Sequence, residues 1–457
     1  MSQFAVDWDQ PLIEKYNYAG PRYTSYPTAL EFNESFGYSQ FKEAATRYPE
    51  RPLSLYVHIP FCHKLCYYCG CNKLVTRHQS KADDYLDVLE REMATVAPLM
   101  RSRQVTQLHW GGGTPTFLDD SQTRRLMGML REHFQVAKDA EISIEVDPRE
   151  ITLETMDLLA EMGFNRLSLG IQDFNPKVQQ AVNRVQDKAF IEALLERAKA
   201  VGFGSINLDL IYGLPHQTPE SFSHTLQQIK ALNPERLSVF NYAHLPSHFA
   251  SQRKIKEQDL PSPEQKLTIL RETILDLTQS GYQFIGMDHF ALPDDSLAIA
   301  QREGKLHRNF QGYTTQGECD LLGLGVSAIS MLGDDYSQNQ KVLKDYYQQV
   351  HELGHAQCKG LALTRDDIIR RDVIKALMCD FALQFSSIEE RYQLTFGDYF
   401  AEDLPLLEPL IADGLVELSD TNIQVTARGR LLIRNIAMCF DVYFRQQLCQ
   451  RQFSRVI

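Results

Sequence analysis

Four of the nine cysteines in this 457-residue chain fall within twelve positions, in the stretch FCHKLCYYCGCN at residues 61–72. A loop so dense in thiols must be disulfide-bonded, hold a metal, or grip something more reactive, and the rest of the fold has to present it. The first thirty residues lack the charged start, apolar core and small-residue cleavage site of a secretory signal. No run approaches the roughly eighteen apolar residues that a membrane span needs. The chain therefore reads as cytoplasmic, where thiols stay reduced and clustered cysteines point to metal or catalysis.

Cys62, Cys66 and Cys69 stand in C-x3-C-x2-C spacing, with Cys71 two residues further on. A structural zinc site pairs one C-x2-C with a second Cys or His pair downstream, and no second pair appears. Cys319, Cys358, Cys379, Cys439 and Cys449 are scattered singly, and read as ordinary buried residues. Three thiolates from one short loop can instead hold three irons of a [4Fe–4S] cube and leave the fourth iron without a protein ligand. An external molecule with an amino group and a carboxylate can chelate that iron. Cys71, one residue beyond Cys69, reads as close to the cube without coordinating it.

From residue 54 onward, short β-branched or apolar runs alternate with longer helical patterns, the signature of parallel βα units. Strands are predicted at 54–60, 105–112, 141–147, 166–172, 205–215 and 236–243. Between them lie segments such as 81–100, where Leu86, Leu89, Met93 and Val96 share one helical face. Six right-handed crossovers give an α/β fold with a partial, open (β/α)6 barrel, although a flat doubly wound sheet fits the same periodicity. In both, polar and glycine-rich residues gather after the strand ends: 60–71, 111–116, Asp147-Pro148, Gln172-Asp173 and Gly213-Leu214-Pro215. Such folds place their sites there.

The predicted organisation is an N-terminal arm at 1–36, a barrel domain at 37–335 and a mainly helical, winged-helix-like domain at 336–457. The arm, YAGPRYTSYPTALEF, has no regular period and must be held by tertiary contact. In the last domain, a hairpin turned at Ser419 to Asn422 leads into a final helix. With acidic residues interleaved and a formal charge of −12 overall, it is expected to be structural or a lid, not a nucleic-acid binder.

The cysteine loop after the first strand, Tyr68 just before its third cysteine, and GGGTP after the second strand together resemble the radical S-adenosylmethionine (SAM) superfamily. The resemblance narrows further. HIPFCHKLCYYCGCN, the arm motif GPRYTSYPTA, the strand end SINLDLIYGLP and HRNFQGYTT at 307–315 look like the oxygen-independent coproporphyrinogen III dehydrogenases of haem biosynthesis, over nearly the whole chain. That family turns two propionates of coproporphyrinogen III into the vinyl groups of protoporphyrinogen IX, using a 5′-deoxyadenosyl radical from SAM.

The resemblance implies that Cys62, Cys66 and Cys69 bind a [4Fe–4S] cluster and that SAM completes it. It implies two SAM molecules, the first along Tyr56, Tyr68, Gly112 and Glu145, the second around Gly113, Thr114, Gln172, Arg184, Asp209, Ala243 and Ile329. Glu145 and Asp209 lie in apolar strands, where a carboxylate needs a ligand or an ion pair. A substrate with four carboxylates needs cations, and Arg22, His307 and Arg308 are the candidates, with the arm expected to close over the barrel mouth. A low-potential electron donor such as flavodoxin or ferredoxin is implied, with no nucleic-acid or membrane partner, and a monomer is expected. The rivals are a related haem chaperone, which is shorter and lacks the arm, and a zinc-stabilised barrel.

Overall fold

The computed structural model describes residues 5–446, in two compact units. One comprises residues 32–269 and 318–362; the other joins the N-terminal residues to 31 with 270–317 and the chain from 363. These units do not follow the sequence-based boundaries at 36 and 335, because segment 270–317 lies with the terminal segments.

In the first unit six strands pair side by side and in parallel. They are β1 (Leu53–Ile59), β2 (Gln104–Gly112), β3 (Gln135–Val146), β4 (Arg166–Gln172), β5 (Ser205–Tyr212) and β6 (Arg236–Asn241). Their order in the sheet is their order in the chain. A doubly wound sheet reverses its order at a switch point, and these six strands run without one, so they form the singly wound partial barrel. The intervening helices start where the sequence caps them. Asp119 and Thr218 accept from backbone N–H groups of the first turn within capping boxes, and Asp187 accepts from Ala189 N.

The sheet also continues on the other side of β1. There β7 (Asp320–Leu324) pairs in parallel, followed by antiparallel β8 (Ile329–Leu332), β9 (Asp335–Asn339) and β10 (Gln357–Leu361). Sequence periodicity missed this extension because β7 is a short, wholly buried run. The β8–β9 hairpin turns at Gly333-Asp334, both at positive φ, a two-residue signal of the kind tight hairpins favour.

A buried carboxyl group and a buried ion pair lock this side of the sheet. Glu92, fully buried on the helix Ser80–Val96, accepts from Gly325 N (2.9 Å), Asn339 Nδ2 (2.6 Å) and Tyr346 Oη (2.8 Å). Tyr85, on the same helix, donates to His58 O (2.6 Å) and accepts from Val326 N (3.1 Å). At the opposite end of β7, Arg103 donates to Asp320 at 2.7 Å, their side chains 1% and 6% exposed.

In the second unit the helix Arg365–Asp380 starts from a Thr364–Asp367 capping box. A three-stranded antiparallel sheet follows (Ala382–Gln384, Asn422–Val425, Val416–Leu418), then short closing helices. Helices plus a wing-like hairpin match the expected winged-helix-like form. The arm packs within this unit: Tyr23 and Tyr26 are buried, Tyr23 donates to Asp441 at 2.8 Å, and Tyr26 meets the Tyr443 ring edge-on. Among the described residues no helix is long and apolar enough to cross a membrane.

Replacing Arg103 by Met leaves Asp320 buried with only Arg51 at 3.4 Å and the Gly333 N–H at 3.1 Å. Urea unfolding of Arg103→Met should show a loss of about 3 kcal/mol, the scale for breaking a buried pair. A loss below ~1 kcal/mol would mean that Asp320 is solvated or neutral.

Candidate functional site at the open end of the barrel

Alternate side chains of a strand face the same side, so Tyr56 and His58 on β1 share a face, as do Gln107 and His109 on β2. Tyr56 Oη lies 3.0 Å from His58 Nδ1, and His58 Nε2 lies 3.0 Å from Asn72 O. A carbonyl can only accept, so Nε2 carries the proton and Nδ1 accepts from the Tyr56 hydroxyl. Burial lowers the His58 pKa, keeping the ring neutral, and one imidazole thus ties the end of β1 to the end of the cysteine loop.

That loop is pinned along its length. Leu74 N and Thr76 N donate to Pro60 O and Cys62 O, and Tyr67 N to Val182 O. Asn183 Nδ2 holds Leu65 O, while Gln252 and Ser251 hold the carbonyls of Tyr68 and Cys69. Tyr68 packs against Val178, Val182, Leu214, Tyr242 and Ile255.

Cys62, Cys66, Cys69 and Cys71 are all free thiols, the first two buried. Thr114 Oγ1 donates to Cys62 Sγ at 3.4 Å. Cys66 Sγ receives Arg149 Nη2 at 3.1 Å and Arg184 Nη1 at 3.4 Å, and Cys69 Sγ receives Cys71 N at 3.4 Å. A hydrogen bond from the Cys71 thiol and the charge of Lys73 outweigh burial and bring the Cys69 thiol down to about 6. Burial pushes Cys62 up to about 11. Among the described residues, no three His, Cys, Asp or Glu side chains converge as around one metal ion. Ligands of an iron–sulfur cube each take a separate iron and spread wider. Sulfurs surrounded by N–H, O–H and guanidinium donors suit an anionic thiolate cluster, so this donor set fits a cube.

Behind the sulfurs, Asp147 sits between two guanidiniums: Arg149 Nε at 2.9 Å and Arg184 Nη1 at 3.1 Å. Burial would raise its pKa, but Arg184 and Arg149 hold it at about 2. Arg184 is 6% exposed and also donates to Gly170 O at 2.6 and 3.1 Å.

The glycine triplet is dictated by close approach. Gly112 adopts φ +113°, and a Cβ there would stand 2.6 Å from the His58 ring; one at Gly113 would stand 2.8 Å from Phe61 O. Gly112 N donates to Glu145 Oε2 at 3.1 Å, and His109 Nε2 lies 3.4 Å from Glu145 Oε1. His109 Nδ1 is 2.6 Å from Ser143 Oγ, and its ring lies near-parallel to Tyr56. Burial acts to raise the Glu145 pKa, but His109 and the Gly112 N–H together bring it below the ordinary value. Its side chain is 46% exposed, which leaves lone pairs open to a ligand.

Gln172 takes φ +69°, unusual for a side-chain-bearing residue, and among the described residues its buried Oε1 has no hydrogen-bond partner. Such backbone strain beside an orphaned acceptor is typical of functional sites. Asp209 accepts from Asn207 Nδ2 (2.8 Å) and Ser168 Oγ (3.1 Å), and burial, reinforced by Glu145, raises its pKa to about 6. Ala243 follows β6 on the exposed side, and Ile329 opens β8; neither makes a polar side-chain contact. Arg22, His307 and Arg308 belong to the other unit. Burial, with Lys375 and Arg391, lowers the His307 pKa to about 4, so it offers a neutral imidazole and not a cation.

Sequence reasoning missed His58, His109 and Arg149. The first two carried a signal, since each sits two residues from a polar neighbour facing the same way. Arg149 did not, because its role depends on the turn Pro148–Glu150 folding it back onto Asp147.

Asp209 supplies a pH test. With a folded pKa near 6 against an ordinary 3.8, its contribution to stability is complete below the ordinary value and is lost as pH rises through about 6. Asp209→Asn should therefore match the wild type at pH 4 and exceed it by about 1–2 kcal/mol at pH 8 in denaturant titrations, the full shift being discounted for partial exposure. Equal stability at both pH values would show an ordinary carboxyl.

The chain matches the model of the radical SAM superfamily over residues 56–229 and that of the HemN C-terminal domain over residues 363–432. It is 69% identical to the oxygen-independent coproporphyrinogen III oxidase of Escherichia coli, over 100% of both chains. To the enzyme of that name from Pseudomonas aeruginosa it is 52% identical, over 99% of both. The solved structure described as "Coproporphyrinogen III oxidase (HemN) from Escherichia coli is a Radical SAM enzyme" superposes with a TM-score of 0.93 at 68% identity, covering 96% of this chain and 100% of that one. A sequential parallel barrel, a three-cysteine loop at its open end and these full-length matches lead to one assignment: the chain belongs to the radical SAM superfamily and, within it, to the family of oxygen-independent coproporphyrinogen III oxidases.

Proposed function

We propose that this chain converts two propionate side chains of coproporphyrinogen III to the vinyl groups of protoporphyrinogen IX without oxygen. The observation that carries the reading is the loop of Cys62, Cys66 and Cys69, a donor-surrounded thiol set one short of four, in a chain whose full-length relatives bear that substrate's name. Each vinyl forms by loss of a hydrogen atom from the propionate β-carbon, carbon dioxide and one electron to an acceptor.

On this reading the three cysteines hold a [4Fe–4S] cluster. When bound together, the reduced cluster and SAM supply a 5′-deoxyadenosyl radical, and the protein supplies orientation and exclusion of water. Glu145, kept ionised and partly exposed, suits an amino group or ribose hydroxyls, with Tyr56, Tyr68 and Gly112 beside it. The orphaned Gln172 oxygen supports a second SAM among Gly113, Thr114, Gln172, Arg184, Asp209, Ala243 and Ile329. The apolar packing around Tyr68 keeps water from the loop. The electron donor is a low-potential protein such as flavodoxin or ferredoxin, and the enzyme acts as a cytoplasmic monomer.

Anaerobically reconstituted protein given SAM, a reductant and coproporphyrinogen III should yield 5′-deoxyadenosine and protoporphyrinogen IX. A colourless zinc protein, or a haem-binding one without decarboxylation, overturns the reading. Two variants test the site itself. Glu145→Gln should raise the KM for SAM about tenfold or more, since a charge-assisted hydrogen bond is worth ~1.5–3 kcal/mol. His109→Phe should raise it less, and His109→Gln, which can still donate to Glu145, should recover most of the loss.

A further inference from the structure

The unit formed by the arm and the C-terminal segments brings the guanidiniums of Arg22, Arg308 and Arg434 close to one another. Arg308 sits on a two-stranded ribbon, directly opposite Tyr313, with its guanidinium 4.5 Å from that ring. Its Nε makes a long bond of 3.3 Å to Tyr23 O, its Nη1 is buried with no partner, and among the described residues it has no ion-pair partner. Arg22 pairs with Asp288 while its side chain stays 39% exposed.

Arg434, 1% exposed, donates to Gly20 O and, at 2.7 Å, to Pro21 O, clamping the backbone just before Arg22. Burial, with the charges of Arg22 and Arg308 close by, lowers the Arg434 pKa to about 10. Asp441 is already engaged by Tyr23 Oη at 2.8 Å and Phe444 N at 2.9 Å. Asp288 pairs with Arg22 and leaves Arg308 with its orphaned N–H. An orphaned, buried N–H on a cation is costly unless an acceptor meets it, and a carboxylate is the acceptor whose geometry and charge match a guanidinium fork.

We propose that Arg22 and Arg308 form a carboxylate site, held in shape by Arg434 and Tyr313, that takes a propionate side chain of the substrate. The inference rests on the proposed function for the identity of the substrate, and goes beyond it in assigning recognition of the substrate's carboxylates to these residues. Arg434 is a positioning residue: it fixes the arm carbonyls on either side of the Gly20–Pro21 bond and adds to the local field. Tyr313, donating to Met378 O at 3.1 Å, gives the Arg308 guanidinium a flat face to rest on.

The test uses the full-length reconstituted protein without reductant and two probes, coproporphyrin III and its tetramethyl ester, which share a macrocycle and differ in charge. Fluorescence titration should show the free acid binding at least tenfold more tightly than the ester. Arg308→Met and Arg22→Met should each weaken the acid five- to twentyfold and leave the ester within twofold, and Arg308→Lys should recover part of the loss. Arg22 is partly exposed, so Arg22→Met keeps the test alive should Arg308→Met fail to fold. Equal binding of acid and ester by the wild type overturns the proposal, as does a variant that loses both probes alike. Turnover of coproporphyrinogen III by the wild type, run in parallel, separates the two ideas: turnover without acid–ester discrimination sinks the carboxylate site alone, and discrimination without turnover sinks the proposed reaction alone.

Discussion

The cysteine loop depends on how the end of β1 is held, and that traces to the carboxylate of Glu92. A carboxylate removed from water costs several kcal/mol unless its lone pairs are met. Glu92 has three donors, from Gly325, Asn339 and Tyr346, which fix the loop after β7 against the helix Ser80–Val96. The N–H of Val326 then meets the Tyr85 hydroxyl, and that hydroxyl donates to His58 O. A Cβ at Gly325 would stand 2.9 Å from His58 O, so the packing leaves no slack. From His58 the chain of bonds passes through the imidazole to Asn72 O. Because each member is satisfied only when its neighbours are in place, the loop inherits a single geometry from a carboxylate on an outer helix.

Local charge, and not the chain's total of −12, sets what this end of the barrel can hold. Arg149, Arg184 and Lys73 surround the sulfurs, and Asp147 answers the two arginines. With three cations against one carboxylate, an anionic cluster is accommodated. Fields inside a partly buried site are screened little, so distant surface acids cannot cancel them. Acidic composition and an electropositive site coexist for that reason.

Much of this was legible in the residues. Six βα units, the open end of the barrel and the three-cysteine loop follow from period, strand ends and spacing. Barrel and doubly wound sheet could not be separated from sequence, since both use the same alternation; strand order decided it. The extension from β7 to β10 hid behind short strands, and segment 270–317 was assigned to the barrel because its contacts with terminal segments leave no local pattern. Within the site, glycines and cysteines announced themselves, whereas Arg149 and Arg434 gain their roles from partners far along the chain or across a turn. Ala243 and Ile329 came only from resemblance, and nothing in their local chemistry would have chosen them.

The interior of the barrel grades from structure to chemistry along the strands. Near the strand starts, Ser54, Gln107, Glu141 and Arg166 close a ladder of bonds at 2.7, 2.9 and 2.6 Å, and the polar groups answer one another. One step along, Tyr56, His109 and Ser143 are in register across β1, β2 and β3 and still paired, and His109 reaches on to Glu145. At the strand ends the pairing runs short: Glu145 keeps open lone pairs, Gln172 has an orphaned oxygen, and Asp209 is pushed toward neutrality. Unmet polar capacity is destabilising in an empty fold, so a ligand offering an amino group or hydroxyls would meet hydrogen bonds that the protein has left unmade. The stability of the lower layers carries the cost of the upper one, which is why stability and reactivity can occupy the same six strands.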